Sequence, residues 1–291
     1  MSLLAGPWPA RITWGLLPLI VGPALGGALS DHSLAVARTA SSLAWITWAG
    51  VLVAVALPTT VSLTALRIAT PAALGVANWA ALSGDRGGAA AVAVAGAALA
   101  VVAAFSPLTG DVFIDGSAYG HERRFALRVP TALVLGPIPL AGIAAVAGPI
   151  AGPLLLAAEQ WLAGGIVLCV GLPLAVVAVR ALHGLARRWV VLVPAGVVLH
   201  DGHALVEAVL FPRAMISRLG PAAATGHPER TDLTVGALGL ALELDLAEPA
   251  AISPRRRDRT VQVEQVTAVA FTPTRPGALL AAAAEHRIAV P

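Results

Sequence analysis

The chain has 291 residues, of which 57% are hydrophobic and only 12% charged. Its mean hydropathy of +0.82 lies far outside the range of a soluble domain, so a bilayer is the expected solvent. The formal net charge is only +3 and every fixed side-chain cation is an arginine, so the high pI reflects Arg without Lys, and nucleic-acid binding is set aside as a class.

A hydrocarbon core about 30 Å thick is crossed by roughly 20 apolar residues in a helix. Six segments approach this: 12–29, 43–65, 67–83, 88–107, 131–153 and 160–181. The first follows Arg11 and ends in Gly26-Gly27-Ala28-Leu29-Ser30, the layout of a signal peptide, but is read as an uncleaved helix. The third is the weakest, with Arg67 at its start and Asn78 inside, so a five-span version stays open. Arg11, Arg67, Arg123, Arg124, Arg128, Arg180, Arg187 and Arg188 then share one side, against Arg38 and Arg86 on the other. That bias puts both termini in the cytoplasm of a cell inner membrane. Trp14 and Trp189 fall near inner span ends, and Trp45, Trp48, Trp79 and Trp161 near outer ones, where such rings favour the headgroups.

Prolines recur inside the spans, at 18, 23, 58, 137, 139, 149, 153 and 173, and broken helices line the sites of some transporters. Such sites usually add buried ionisable groups, for which Asn78 and Glu159 are the nearest candidates. Gly84, Gly87, Gly88, Gly96 and Ala100 read as close helix packing. The single cysteine, Cys169, lies in an apolar run; it is read as a packing residue, without a disulfide framework or Cys-based metal cluster.

Between the fourth and fifth spans, DVFIDGSAYGHERRFALRVP (111–130) is the most polar stretch of the first two-thirds. Asp115, Tyr119, His121 and Glu122, with Arg123 and Arg124, are candidates to bind a headgroup, dock on the C-terminal domain or supply an acid and a base. The plainer reading is a positive-inside loop whose charges face water.

From residue 185 the long apolar runs stop, and 185–291 is expected to be a second, cytoplasmic domain after a transmembrane domain of 1–184. Trp189–Val193 and Val197–His200 form a hairpin about Pro194-Ala195-Gly196, and Asp201-Gly202 turns the chain again. Further strands are expected at 208–211, 215–219, 235–246, 260–263 and 267–271. In the longest, Leu240, Leu242, Leu244 and Leu246 alternate with Glu243 and Asp245. A helix over Ala278–His286 follows Pro276-Gly277.

The opening hairpin Arg188–His200, the segment Val209–Ile216 and the close Val269–Gly277 resemble a bacterial pleckstrin-homology-like (PH-like) domain. The resemblance covers a little over a third of the chain and implies a small α+β domain of antiparallel strands plus one C-terminal helix. The whole is similar in layout to the uncharacterised multi-pass membrane proteins of actinobacteria that carry such a domain. No lipid-binding motif of eukaryotic relatives is matched.

Arg255, Arg256, Arg257 and Arg259 make the densest positive charge. Each is worth about 1 kcal/mol against an anionic leaflet if held close, and a solvated loop is the equal alternative. His200-Asp201-Gly202-His203 invites a metal reading, but its spacing is that of a hairpin turn and no third ligand is spaced for it; neither a metal nor another cofactor is expected. There is no Walker motif, GxSxG elbow or HExxH. The expectation is a helical bundle of about six spans followed by a small PH-like domain. It would act on membrane lipids and a protein partner or a second copy, as a scaffold or regulatory subunit and not as an enzyme. A transport component for a lipid or small apolar molecule is the alternative, and an enzyme using Asp115, His121, Glu122 and Arg123 comes third.

Overall fold

The structure, a computed structural model, describes residues 6–83, 87–223, 230–255 and 262–291. Its helices in chain order are α1 (Trp8–Leu29), α2 (Leu34–Ala56), α3 (Thr60–Ser83), α4 (Gly88–Phe105), α5 (Pro107–Asp115), α6 (Thr131–Val134), α7 (Pro137–Ala157) and α8 (Trp161–Ala186). Among the described residues, six segments are long and apolar enough to cross a membrane: α1 to α4, the stretch Thr131–Ala157, and α8. The chain divides into two compact units, one made of 1–116 and 138–183, the other of 117–137 and 184–291. A single cut at 184/185 is therefore replaced by three crossings of the chain between units.

In the helical unit the expected second and third spans, 43–65 and 67–83, are shifted. The Ser33 hydroxyl accepts from the Val36 N–H and starts α2 at Leu34, a common helix start. Leu57, held extended before Pro58, ends it, as residues preceding proline tend to. Pro58 thus lies between two helices instead of inside one, and Arg67 sits two turns inside α3. Trp48 is likewise mid-helix: its indole N–H donates to Trp14 O at 3.2 Å and Trp14 returns the bond to Trp48 O at 3.0 Å. Arg11 donates to Val55 O and Ala56 O, both at 2.8 Å, satisfying the last carbonyls of α2.

Of the small residues expected to pack closely, Gly96 and Ala100 do, Gly87 and Gly88 are exposed, and Gly84 lies outside the described residues. Ala90, Ala93, Ala97, Ala100 and Ala104 form a buried stripe at helical spacing, and a Cβ on Gly96 would stand 2.5 Å from Ile20 Cγ2 of α1. In the pair α7 and α8, a Cβ on Gly148 would come within 2.6 Å of Gly171 Cα, so backbone meets backbone there.

The second unit holds β1 (Arg123–Ala126), β2 (Trp189–Val193), β3 (Gly196–His200), β4 (Val209–Pro212), β5 (Ile216–Pro221), β6 (Arg230–Asp232), β7 (Leu242–Ile252), β8 (Glu264–Phe271) and helix α9 (Pro276–Glu285). Its first sheet has the order β1-β2-β3-β4, and the second β5-β7-β8-β6. All pairs are antiparallel except β6 with β8. The turn after β2 needs Gly196, at φ 152°, because the Phe211 carbonyl approaches where a Cβ would stand. A bridge between Leu127 and Pro273 joins the ends of β1 and β8. One core runs through both sheets: Phe125, Val190, Leu192, Val197, Phe211, Leu244 and Phe271 pack with Leu279 and Ala283 of α9.

The segment 111–130, expected as a loop, is therefore α5 followed by β1, whose register pairs Arg123 with Leu192 and Ala126 with Trp189. The expected strand 235–246 is only half right. Val235, Gly236 and Gly239 take positive φ and bend the chain, Leu240 is exposed, and β7 begins at Leu242 and runs on to Ile252. In 260–263, residues 260 and 261 lie outside the described residues, and Gln262 and Val263 are not in a strand. Of the polar stretch His227–Arg230 only Arg230 is described, and it opens β6.

Candidate functional site

At the exit of α8 the chain reads Ala186-Arg187-Arg188-Trp189, two arginines expected to face the cytoplasm. Arg188 instead turns inward and is 2% exposed. Its Nε and Nη2 each donate to one oxygen of Asp201 at 2.7 Å, and Nη1 donates to Arg128 O at 2.7 Å. This bidentate geometry is the strong form of the Arg–carboxylate pair. It fastens the start of β2, the end of β3 and the residues after β1 to one another. Asp201 Oδ1 also accepts the His203 N–H at 3.0 Å.

The other residues of the His200–His203 cluster are engaged structurally as well. His200 stacks on Trp189, ring centroids 4.7 Å apart, with Nδ1 2.9 Å from Arg187 O. Burial pushes the His203 imidazole below its ordinary value, Arg188 and Arg255 act in the same direction, and Asp201 opposes them.

A cleft of about 530 Å³ opens on the second unit. Gly120, His121, Glu122 and Arg123 line one side, at the entry to β1, and Pro194 and Arg213 come from the strand turns. Glu285, His286 and Arg287, at the end of α9, complete it. His286 builds the wall: Nδ1 lies 2.9 Å from Ala282 O on its own helix, and Nε2 lies 3.0 Å from His121 O. Both ring nitrogens thus meet backbone carbonyls, which ties α9 to the segment before β1. Glu122 accepts from Arg124 Nη2 at 3.3 Å and from the Tyr119 N–H at 3.4 Å.

Of the residues marked in the sequence, His121, Glu122 and Arg123 meet in this cleft. Arg124 leans toward Glu122 and lies 5.9 Å over the Trp189 ring. Tyr119 is 81% exposed and outside the lining. Asp115 ends α5 in the helical unit. Arg255 is exposed, its N–H bonded to Ala204 O at 2.7 Å, while Arg256, Arg257 and Arg259 lie outside the described residues. Arg213, Glu285, His286 and Arg287 were missed because they are single charges at element ends; the left-handed Arg287 after α9 carries a signal only in three dimensions.

The helical unit also holds charge that the shifted span boundaries concealed. Arg67 donates through Nε to Ala104 O at 3.3 Å and lies 5.5 Å over the Phe105 ring, and the buried Asp111 supplies the opposite charge. Nearby in sequence, the Thr64 hydroxyl lies 2.8 Å from Thr60 O and 3.0 Å from His183 Nδ1. Arg67, expected at the start of the third span, is thus a charged group within one of the six long apolar helices. Asn78, the expected pathway residue, donates to Leu74 O on its own helix at 2.8 Å. A scan of protein-family models matches none to this chain, and searches of curated proteins and of solved structures return no match.

Proposed function

We propose that the protein is a multi-pass inner-membrane protein with both termini cytoplasmic, whose second unit is a PH-like domain acting as a regulatory or assembly module through contacts with a protein partner. The succession of a four-stranded meander, a second sheet and a closing helix supports the PH-like reading. The observation that carries the regulatory reading is the insertion of α6, α7 and α8 into the connection between the paired strands β1 and β2. A rearrangement of the last two spans is thereby covalently linked to two neighbouring strands of the domain, the connection a coupling device needs. The transport reading is weakened at Asn78, whose amide donates to Leu74 O of its own helix, and then rests on the prolines of the fifth span.

The test is quantitative affinity purification from native membranes of the wild-type chain and of Arg188→Ala, which removes the buried partner of Asp201 and should destabilise the second unit. A partner recovered in fixed stoichiometry with the wild type and lost with the variant is expected. Repeated recovery of the chain alone sinks the proposal.

A further inference from the structure

We infer that the loop 234–241 of the second unit inserts into the cytoplasmic leaflet, at the boundary between headgroups and acyl chains. The inference rests on the multi-pass reading above and is independent of the protein partner. The loop reads Thr-Val-Gly-Ala-Leu-Gly-Leu-Ala and carries no charge. Its large side chains are turned outward: Leu238 is 71% exposed, Leu240 53% and Val235 38%. Val134 and Leu135, just past Thr131, are exposed as well. Single exposed apolar side chains are ordinary, but a group of them marks a contact surface.

The residue that holds the loop identifies the contact as lipid. Thr131 donates through its N–H and its hydroxyl to Gly236 O, at 3.3 and 2.9 Å, and its hydroxyl oxygen accepts the Leu238 N–H at 3.2 Å. Thr131 is also the first residue of the apolar segment Thr131–Ala157, 27 residues long. At a helical rise of about 1.5 Å per residue such a segment reaches about 40 Å, longer than a hydrocarbon core of about 30 Å, which places its first residue among the headgroups. The loop bonded to Thr131 is held at the same depth. Its backbone suits that boundary: the Gly236 N–H donates to Thr234 Oγ1 at 3.3 Å and the Ala237 N–H to Thr234 O at 3.1 Å. With Leu238, three successive amides are thus bonded within the protein, which removes a large cost of entering an apolar medium. Arg128 Nε stands 2.7 Å from where a Cβ on Gly239 would lie, so a cation flanks the loop, the sign an anionic leaflet favours.

The test uses the full chain with its one cysteine replaced, Cys169→Ser, in liposomes of zwitterionic lipid and phosphatidylglycerol. A nitroxide is placed at Leu238→Cys. Ile143→Cys, exposed on α7 in the middle of the fifth apolar segment, and Glu248→Cys, exposed on β7, serve as references. Collision with oxygen, which concentrates in lipid, and with a water-soluble nickel chelate is measured at each site. The oxygen-to-nickel ratio at Leu238 is expected to exceed that at Glu248 severalfold and to lie toward that at Ile143. With Ile143 in lipid, a Leu238 label as open to nickel as Glu248, or closed to both reagents as beneath a protein, overturns the inference alone. An Ile143 label open to nickel overturns the multi-pass reading, and the inference with it.

Discussion

Arg188 and Asp201 show what one buried ion pair commits a fold to. The pair is nearly sealed from solvent and each carboxylate oxygen takes a guanidinium nitrogen, so removing one partner leaves an uncompensated buried charge. Arg188→Met or Asp201→Leu alone should cost the second unit about 3–5 kcal/mol, and the double substitution less than the sum, measured by hydrogen exchange of β2 and β3. His203 gives a pH signature. Its folded-state pKa is depressed, so the unfolded chain binds the proton more readily. Stability is then complete above the ordinary value of 6.5 and falls as pH drops through the folded value. His203→Gln should show a smaller loss of Tm between pH 7.5 and 5.5 than wild type, and an equal loss would remove His203 as the source. The role of Arg188 was hidden in the sequence for a physical reason: a hairpin must close before residues 188 and 201 become neighbours, and until then Asp201-Gly202 is only a turn signal.

Helix α4 and the pair α7 and α8 pack through small residues that let backbones approach closely. Gly148→Val places a side chain where the Gly171 backbone stands. It should therefore separate α7 from α8, read as loss of a disulfide engineered across that pair, while Gly142→Val, with open space around it, should not. At this scale the existence of the helices was legible, because long apolar runs are unambiguous. Their limits were not, because hydropathy is blind to a Ser33 cap and to the stop imposed by Pro58. Strands fared unevenly for a similar reason: the alternation around Leu242, Leu244 and Leu246 was visible, but the positive φ of Val235 that delays β7 was not. β6 is only three residues long, too short for any periodicity.

For the whole molecule, the least legible feature was β1. Its four residues, Arg-Arg-Phe-Ala, look like part of a charged loop, because their partner strand lies beyond two spans in the chain. A fragment of 185–291 alone lacks this strand and the Phe125 core residue, and should remain incompletely folded, with exchange-labile β2 amides. Joining 117–130 to 185–291 through a short Gly-Ser turn in place of 131–184 should give a soluble, cooperatively melting domain. If 185–291 melts as cooperatively without β1, the strand is dispensable and the coupling reading loses its basis.

The same interruption imposes an order on synthesis. β1 is made before residues 127–188, and at about 5–20 residues per second seconds pass before β2 follows it. Throughout that wait Phe125 has no core to enter and the strand's edge has no neighbour, a state open to chaperones and to wrong pairings. Closure of the sheet thus becomes a report that the last two helices have been made, and a nascent chain stalled between them would be marked by an unpaired strand.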